Sequence, residues 1–200
     1  MRHLLKTICA AAIIAGSSGF SSEPAENNTN WILDHLETIP NFPQVGIQFK
    51  SLGPLLRNPD AFHRTIVLFA ERYKDKRIDK IVGLDSRGFI LGTALAYEMN
   101  LPFVMVRKAG KLPGDVVSIK YSLEYGASCF EMEKASIQPG ENILVIDDVL
   151  ATGGTGQAAC SLVEMLGGNV YEFACLIELE GLGGRERITR PIFTLISVEP

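Results

Sequence analysis

The 200-residue sequence has few of the residues that point to a disulfide scaffold or a transition-metal site. Its four cysteines form no Cys-x-x-Cys pair, and its three histidines lie far apart in the chain. We therefore expect no zinc-type site made of protein ligands alone. An excess of basic residues is also lacking. The formal net charge of −4 argues against a nucleic-acid binder that contacts phosphates through a basic face.

Apolar residues make up 46% of the chain and charged residues 21%, which predicts a globular protein with one well-filled core. Residues 1–28 differ from the rest. Arg2 and Lys6 precede an apolar run, and a small-residue stretch follows to Ser22. This is the layout of a secretory signal peptide, and the run is too short for a resident membrane helix. We interpret residues 1–28 as a signal-peptide-like or disordered extension, and residues 29–200 as a single domain.

The most informative stretch is ILVIDDVLATGGT, residues 143–155. Its apolar start has the length and branching of a strand buried on both faces, and Asp147 and Asp148 follow at once. A small polar turn comes next, and apolar residues at helical spacing then lead to Gly167, which suits a helix end. The turn consists of Ala151, Thr152, Gly153, Gly154 and Thr155.

A glycine turn that opens a helix directs backbone N–H groups outward, and the helix dipole favours an anion there. Ionised carboxylates only accept hydrogen bonds, so the acid pair needs donors such as two vicinal sugar hydroxyls. The combination predicts a site for a ribose 5-phosphate. The plainer alternative is an acid pair that caps a helix, but two acids after a buried strand are costly without a function. A Walker loop and a dinucleotide fingerprint both fail on spacing.

Two further strands end in turns that carry cations. The strand predicted over residues 78–84 leads into DSRGF, where Arg87 beside helix N–H groups suits a second anion such as a pyrophosphate. A surface turn with an Asp85–Arg87 contact is the alternative. The strand predicted over residues 101–106 delivers Arg107, Lys108 and Lys111 into a Gly/Pro-rich loop. Basic runs are usually solvated, but at the carboxyl edge of a sheet these three can reach a polyphosphate.

The remaining pattern alternates strands and helices, which predicts a mainly parallel sheet flanked by helices. A helical pattern starts at residue 30 and extends to Ile39. Asn58 and Pro59 suit the start of another helix, and residues 118–133 alternate as a hairpin does. Residues 192–198 are expected to form the last strand.

These motifs together resemble the type I phosphoribosyltransferases. The stretch IDDVLATGGT is similar to the phosphoribosyl pyrophosphate signature of that family, and VLATGGT is the form typical of the adenine phosphoribosyltransferases. The segments LDSRGF, RKAGKLPG, YSLEYG and LGGR follow the family's order, although we assign the last no chemistry. The resemblance implies an α/β fold of the type I phosphoribosyltransferase kind: a mainly parallel twisted sheet flanked by helices, with a small hood and a flexible hairpin loop.

The resemblance implies an enzyme of purine salvage, a glycosyltransferase of the pentosyltransferase class. It would join adenine to phosphoribosyl pyrophosphate and release AMP and pyrophosphate. The alternatives are a transferase of the same fold for guanine, hypoxanthine or xanthine, and a non-catalytic regulator that senses phosphoribosyl pyrophosphate. The expected cofactor is Mg²⁺ carried by the substrate, with no metal bound directly by the protein. We further expect a homodimer in the cytoplasm, without a nucleic-acid partner or membrane span, although the leader-like segment suggests export or a misassigned start.

The same resemblance implies roles for individual residues of these motifs. Asn41 and Ser51 depart from it, because the family usually has Asp at both positions. In LDSRGF the family often has a non-proline cis peptide bond. The residues assigned to catalysis are Glu124, Asp147 and Asp148, and those assigned to adenine are Gln48, Phe49 and Lys50. The residues assigned to phosphoribosyl pyrophosphate are Asp85, Ser86, Arg87, Arg107, Lys108, Lys111, Tyr125, Asp147, Asp148, Ala151, Thr152, Gly153, Gly154 and Thr155.

Overall fold

The computed structural model describes residues 29–122 and 127–200. A 3-10 helix (Asn30–His35) precedes β1 (Glu37–Pro40), β2 (Gln48–Ser51), α1 (Gly53–Arg57), α2 (Pro59–Tyr73), β3 (Lys80–Leu84) and α3 (Gly88–Glu98). The chain continues through β4 (Phe103–Lys108), β5 (Val116–Ser122), β6 (Ala127–Glu133), a 3-10 turn (Lys134–Ser136) and β7 (Asn142–Leu150). It ends with α4 (Gly154–Met165), β8 (Asn169–Leu179), α5 (Gly184–Arg187) and β9 (Ile192–Val198).

Seven strands form one sheet in the order β5-β6-β4-β3-β7-β8-β9. The neighbours from β4 through β3, β7 and β8 to β9 are parallel, whereas β5 and β6 pair with each other and with β4 in antiparallel fashion. The prediction of a mainly parallel sheet is therefore confirmed, and so is the hairpin at residues 118–133. Strands β1 and β2 form a separate antiparallel pair.

The central strands are apolar throughout because helices cover both faces of the sheet. Residues 143–146 of β7 are fully buried. One face packs against α2 and α3, through residues such as Phe69 and Leu95, and the other packs against α4, through residues such as Leu162. These two layers hold the carboxyl ends of β3 and β7 in fixed relative positions.

Helix α2 begins as its sequence predicts. The Asn58 side chain accepts a hydrogen bond from the Ala61 amide at 3.1 Å, and Pro59 occupies the first helical turn. Its buried stripe includes Ile66 and Phe69.

The helix predicted from residue 30 to Ile39 is wrong in its second half. The 3-10 helix ends at His35, and Ile39 lies in β1 opposite Phe49 of β2. Pairing with β2 gives this segment backbone hydrogen bonds that a short helix ending at Pro40 cannot match. Within the described part of the chain, no helix is both long enough and apolar enough to cross a bilayer.

Candidate active site

The acid pair lies inside β7, which corrects the prediction that the strand ends before Asp147. Strand β8 continues to pair along this part of β7, with Asp147 opposite Cys175. On the other side of β7, strand β3 ends at Leu84, and the last residue of β7 that pairs with β3 is Ile146. One edge of β7 is therefore open where the two acids stand.

This open edge forms one wall of a cavity of about 330 Å³. A larger concavity of about 670 Å³ at residues 96–102 has neither an acid pair nor a glycine turn, so size alone does not identify the site. The smaller cavity joins two stretches that the sequence analysis had singled out separately, DSRGF and residues 143–155. Its lining residues are Asp85, Ser86, Arg87, Asp147, Asp148, Val149, Ala151 and Thr155.

The glycine turn leads directly into α4. Gly153 is the residue before the helix and has a φ of 75°, a conformation that glycine adopts without a steric penalty. Its carbonyl oxygen accepts a hydrogen bond from the Gln157 amide at 2.9 Å. Among the described residues, no group accepts a hydrogen bond from the backbone amides of residues 151–155. The turn thus presents donors that are not used within this part of the protein.

A second glycine segment supports this turn from behind. A Cβ atom at Gly184 would overlap the Ala151 carbonyl oxygen, and one at Gly153 would lie 2.7 Å from the Gly184 carbonyl oxygen. Arg185 anchors the segment, because its Nε and Nη2 donate to the Glu178 carboxylate at 2.7 and 2.5 Å. The same guanidinium holds the pKa of Glu178 below its usual value. No role was assigned to the LGGR segment from the sequence, and its support of the turn emerges only from the fold.

The acid pair is electrostatically unfavourable in isolation. Asp148 is only 4% exposed, and the pKa of both carboxyls is raised because burial disfavours their charged forms. The negative charge of Asp148 raises the pKa of Asp147 further, whereas Arg87 acts in the opposite direction on both. Asp147 Oδ1 accepts the Asp148 amide at 2.9 Å. The pair is therefore suited to a ligand that supplies hydroxyl donors or positive charge.

Arg87 contacts the acid pair and the β2 strand together. Its Nε lies 2.8 Å from Asp148 Oδ2, which is ion-pair distance. That oxygen nevertheless receives no hydrogen bond from any described residue, so the Arg87 N–H is close but poorly aligned. The guanidinium carbon lies 5.1 Å from the centroid of the Phe49 ring. Phe49 is thereby linked to the cavity through Arg87.

The basic loop joins the same site through Arg107. Its Nε lies 3.3 Å from Asp85 Oδ2, and its Nη1 donates to the Lys111 carbonyl at 3.2 Å. The Gly110 amide donates to Glu131 at 2.8 Å and fixes the loop to β6. Lys108 and Lys111 have exposed side chains without an ion-pair partner among the described residues. The peptide bond between Asp85 and Ser86 is cis, as the resemblance suggested.

The β1–β2 segment carries the residues assigned to a purine. Phe42 packs edge-on against Phe49 at 5.2 Å, and Lys50 Nζ donates to Thr38 at 3.3 Å. Gln48 is exposed. Within the described part of the chain, neither Gln48 nor Lys50 contacts a residue that lines the cavity. Of the three residues predicted to bind adenine, the structure thus brings only Phe49 to the site.

The two residues that depart from the family pattern hold this segment by their own hydrogen bonds. Asn41 accepts from the Gly46 amide at 2.9 Å, and Ser51 accepts from the Gly53 amide at 3.2 Å. The loop geometry there does not depend on a carboxylate. Glu124 and Tyr125, predicted for proton handling and for closing the site, lie outside the described residues.

Comparison with known proteins identifies relatives of the chain. The family model described as "Phosphoribosyl transferase domain" matches residues 51–199. An adenine phosphoribosyltransferase from Chloroflexus aurantiacus is 50% identical over 162 residues, which cover 80% of this chain and 94% of the relative. The Saccharomyces cerevisiae enzyme of that name, solved with adenine and an imino-altritol bisphosphate, has a TM-score of 0.81 and 42% identity, over 84% of this chain and 98% of that one. The Trypanosoma brucei enzyme, solved with AMP, pyrophosphate and ribose-5-phosphate, has a TM-score of 0.76 and 31% identity, over 88% and 81% of the two chains.

Proposed function

Because this chain belongs to the phosphoribosyl transferase family, we propose that it transfers the phosphoribosyl group of phosphoribosyl pyrophosphate to adenine. The products are AMP and pyrophosphate, which makes it a pentosyltransferase of purine salvage. One observation carries the proposal: Asp147, Asp148 and the two end residues of the glycine turn, Ala151 and Thr155, line a single cavity, and the amides of that turn are not used by any described residue. The adenine bound to the yeast relative, and the AMP and pyrophosphate bound to the trypanosome relative, support the same substrate and products here.

The sugar is held at two ends. The amides of the glycine turn and the amino end of α4 bind the 5-phosphate, since both favour an anion. Asp147 and Asp148 accept hydrogen bonds from the ribose hydroxyls. As the bond from C1′ to pyrophosphate breaks, the ring gains positive charge, and the half-buried Asp147 and buried Asp148 carboxylates stabilise that charge more strongly than they stabilise the ground state. The binding residues of the turn are Ala151, Thr152, Gly153, Gly154 and Thr155.

The leaving pyrophosphate gains negative charge and needs cations around it. Arg87 at the end of β3 and Arg107 at the end of β4 stand nearest to the cavity, and Lys108 and Lys111 extend the basic loop. Asp85 and Ser86 shape the turn, and Asp85 holds Arg107 in place. These positions support a role in stabilising the departing group.

Mg²⁺ fits this site as part of the substrate. Mg²⁺ prefers oxygen ligands and keeps several of its positions on phosphate oxygens and water. Asp148 Oδ2, a buried oxygen without a hydrogen-bond donor among the described residues, suits the charge or the water shell of such an ion. When bound, Mg²⁺ neutralises charge on the pyrophosphate.

The purine position lies beside β2. Phe49 provides an aromatic face for a flat heterocycle, and the segment with Gln48 and Lys50 supplies polar groups for its edge. By the family resemblance, Glu124 handles the proton at the purine and Tyr125 closes over the site, which excludes water from the activated sugar.

A product assay tests the proposal. The protein is incubated with phosphoribosyl pyrophosphate, Mg²⁺ and one purine at a time, and the nucleotide formed is separated and identified. We expect AMP from adenine, with kcat/KM for guanine, hypoxanthine and xanthine lower by roughly a hundredfold or more, because polar groups read the purine edge. Faster formation of another nucleotide would assign the chain to that base. No product from any purine would favour the regulator.

The proposal extends to the oligomeric state of the protein and to its location in the cell. Ile90 and Tyr97 are 38% and 89% exposed on one face of α3, with the exposed Thr93 between them. Exposed apolar side chains on one helix face support a homodimer. Sedimentation equilibrium in the analytical ultracentrifuge tests this. We place the reaction in the cytoplasm, where phosphoribosyl pyrophosphate is made. N-terminal sequencing of the native protein tests whether residues 1–28 are removed.

A further inference from the structure

Arg87 touches the two places where the proposed substrates must sit. Its Nε is 2.8 Å from Asp148 Oδ2, the oxygen expected to accept a ribose hydroxyl. Its guanidinium carbon is 5.1 Å from the Phe49 ring centroid, on the surface expected to stack with a purine. The side chain is 39% exposed, so it can move without opening the core.

Both contacts are incompatible with bound substrates. A purine inserted between the guanidinium and the Phe49 ring needs two stacking distances of about 3.5 Å, or roughly 7 Å in all. The observed 5.1 Å is too short for that. At Asp148, a cation at 2.8 Å fills the position from which a hydroxyl would donate. Arg87 must therefore leave both places before a sugar and a base can bind together.

A pyrophosphate is the ligand best able to draw Arg87 away. A guanidinium binds a phosphate group through two parallel hydrogen bonds, whereas its present contact with Asp148 is a close approach without an aligned one. Arg87 also directly precedes α3, whose amino end favours an anion. Once Arg87 has moved, ribose hydroxyls can satisfy the Asp148 oxygen that now has no hydrogen bond.

We propose that Arg87 couples the two substrate positions: it covers the sugar-binding carboxylate and the purine-stacking face until a pyrophosphate group binds it. This inference rests on the proposed function and goes beyond the binding of the leaving group. Ligands that lack a pyrophosphate must displace Arg87 without compensation. Ribose 5-phosphate alone and adenine alone therefore bind weakly, and phosphoribosyl pyrophosphate opens the site for adenine.

The test is the substitution Arg87→Met, which keeps an unbranched apolar stem and removes the guanidinium. Titration calorimetry at pH 8 measures the dissociation constants of adenine, of ribose 5-phosphate, and of phosphoribosyl pyrophosphate with Mg²⁺, each added alone. We expect the first two ligands to bind about tenfold more tightly if Arg87 covers their positions nine-tenths of the time. Phosphoribosyl pyrophosphate should bind more weakly, because it loses a charged partner.

Arg107→Met is the matched control, since Arg107 lies at the same site but pairs with Asp85. It should weaken phosphoribosyl pyrophosphate without tightening adenine or ribose 5-phosphate. Thermal unfolding and circular dichroism confirm that both variants are folded. Unchanged or weaker adenine binding in Arg87→Met overturns the inference, and so does equal tightening in both variants. AMP formation by the wild-type protein tests the proposed function independently of either result.

Discussion

Asp148→Asn is the substitution that tests most directly whether the acid pair stabilises positive charge on the sugar. It removes one negative charge and keeps the shape of the side chain. Asp148 is 4% exposed, so water screens its charge poorly. For half a unit of positive charge on the ring at about 4.5 Å and an effective dielectric constant of about 20, the lost attraction is about 1.8 kcal/mol. That corresponds to a roughly twentyfold fall in kcat.

The assay is AMP formation at saturating concentrations of both substrates, with kcat and both KM values determined. A matched control is Asp79→Asn. Asp79 accepts the Asn142 amide at 2.8 Å at the opposite, amino end of the same two strands. The Asp79→Asn variant should change kcat by less than about twofold, because Asp79 lies far from the cavity and takes no part in the transition state. Thermal unfolding checks that both variants are folded.

Two results would refute the reasoning behind this prediction. A kcat for Asp148→Asn within about twofold of the wild type would mean that the carboxylate does not act on the reacting sugar. A rise in the KM for phosphoribosyl pyrophosphate with unchanged kcat would mean that Asp148 binds substrate and transition state equally. Either outcome would leave the acid pair as a binding feature only.

Three other predictions follow from the same geometry. Phe49→Ala should raise the KM for adenine by about tenfold and change that for phosphoribosyl pyrophosphate less, because base–aromatic stacking is lost; an unchanged adenine KM excludes Phe49 from the pocket. Asp147→Asn should increase the free energy of unfolding at pH 8 but not near pH 4, as measured by urea denaturation. The raised pKa means that the wild-type carboxyl weakens the fold as pH rises from about 4 through its folded-state pKa; an equal effect at both pH values would contradict this. Gly184→Ala should raise the KM for phosphoribosyl pyrophosphate several-fold and lower Tm, because its Cβ displaces the Ala151 carbonyl; normal kinetics would show that the turn does not need this support.

The elements that could be predicted from the sequence are those that short-range patterns determine. Strand β9 covers the predicted residues 192–198, and the Asn58 cap starts α2 where expected. The site motifs are equally local, since each is a strand followed by a polar turn. Parallel strands bring their carboxyl ends to one edge, and so the turns after β3 and β7, distant in sequence, meet in one cavity.

The features that could not be predicted depend on partners far along the chain. Strand β1 forms because β2 pairs with it, which the helical spacing of residues 30–39 does not reveal. Gly184 supports Ala151 across 33 residues, and no pattern in either segment indicates that contact. The position of Arg87 over Phe49 likewise joins two segments with no shared motif. In each case tertiary packing decides the outcome, and a single sequence contains no direct record of it.

The site combines several groups that are unfavourable within the protein alone. Two neighbouring carboxyls have raised pKa values, Asp148 Oδ2 lacks a hydrogen bond, and the amides of the glycine turn are not used by any described residue. Phosphoribosyl pyrophosphate relieves all of these, because it supplies hydroxyl donors to the acids and an anion to the amides. Binding should therefore stabilise the fold by more than the contact area suggests, with a rise in Tm that grows with ligand concentration. The same unfavourable groups that lower stability thus provide the affinity for the sugar phosphate, which is why we expect Asp147→Asn to gain stability and lose activity together.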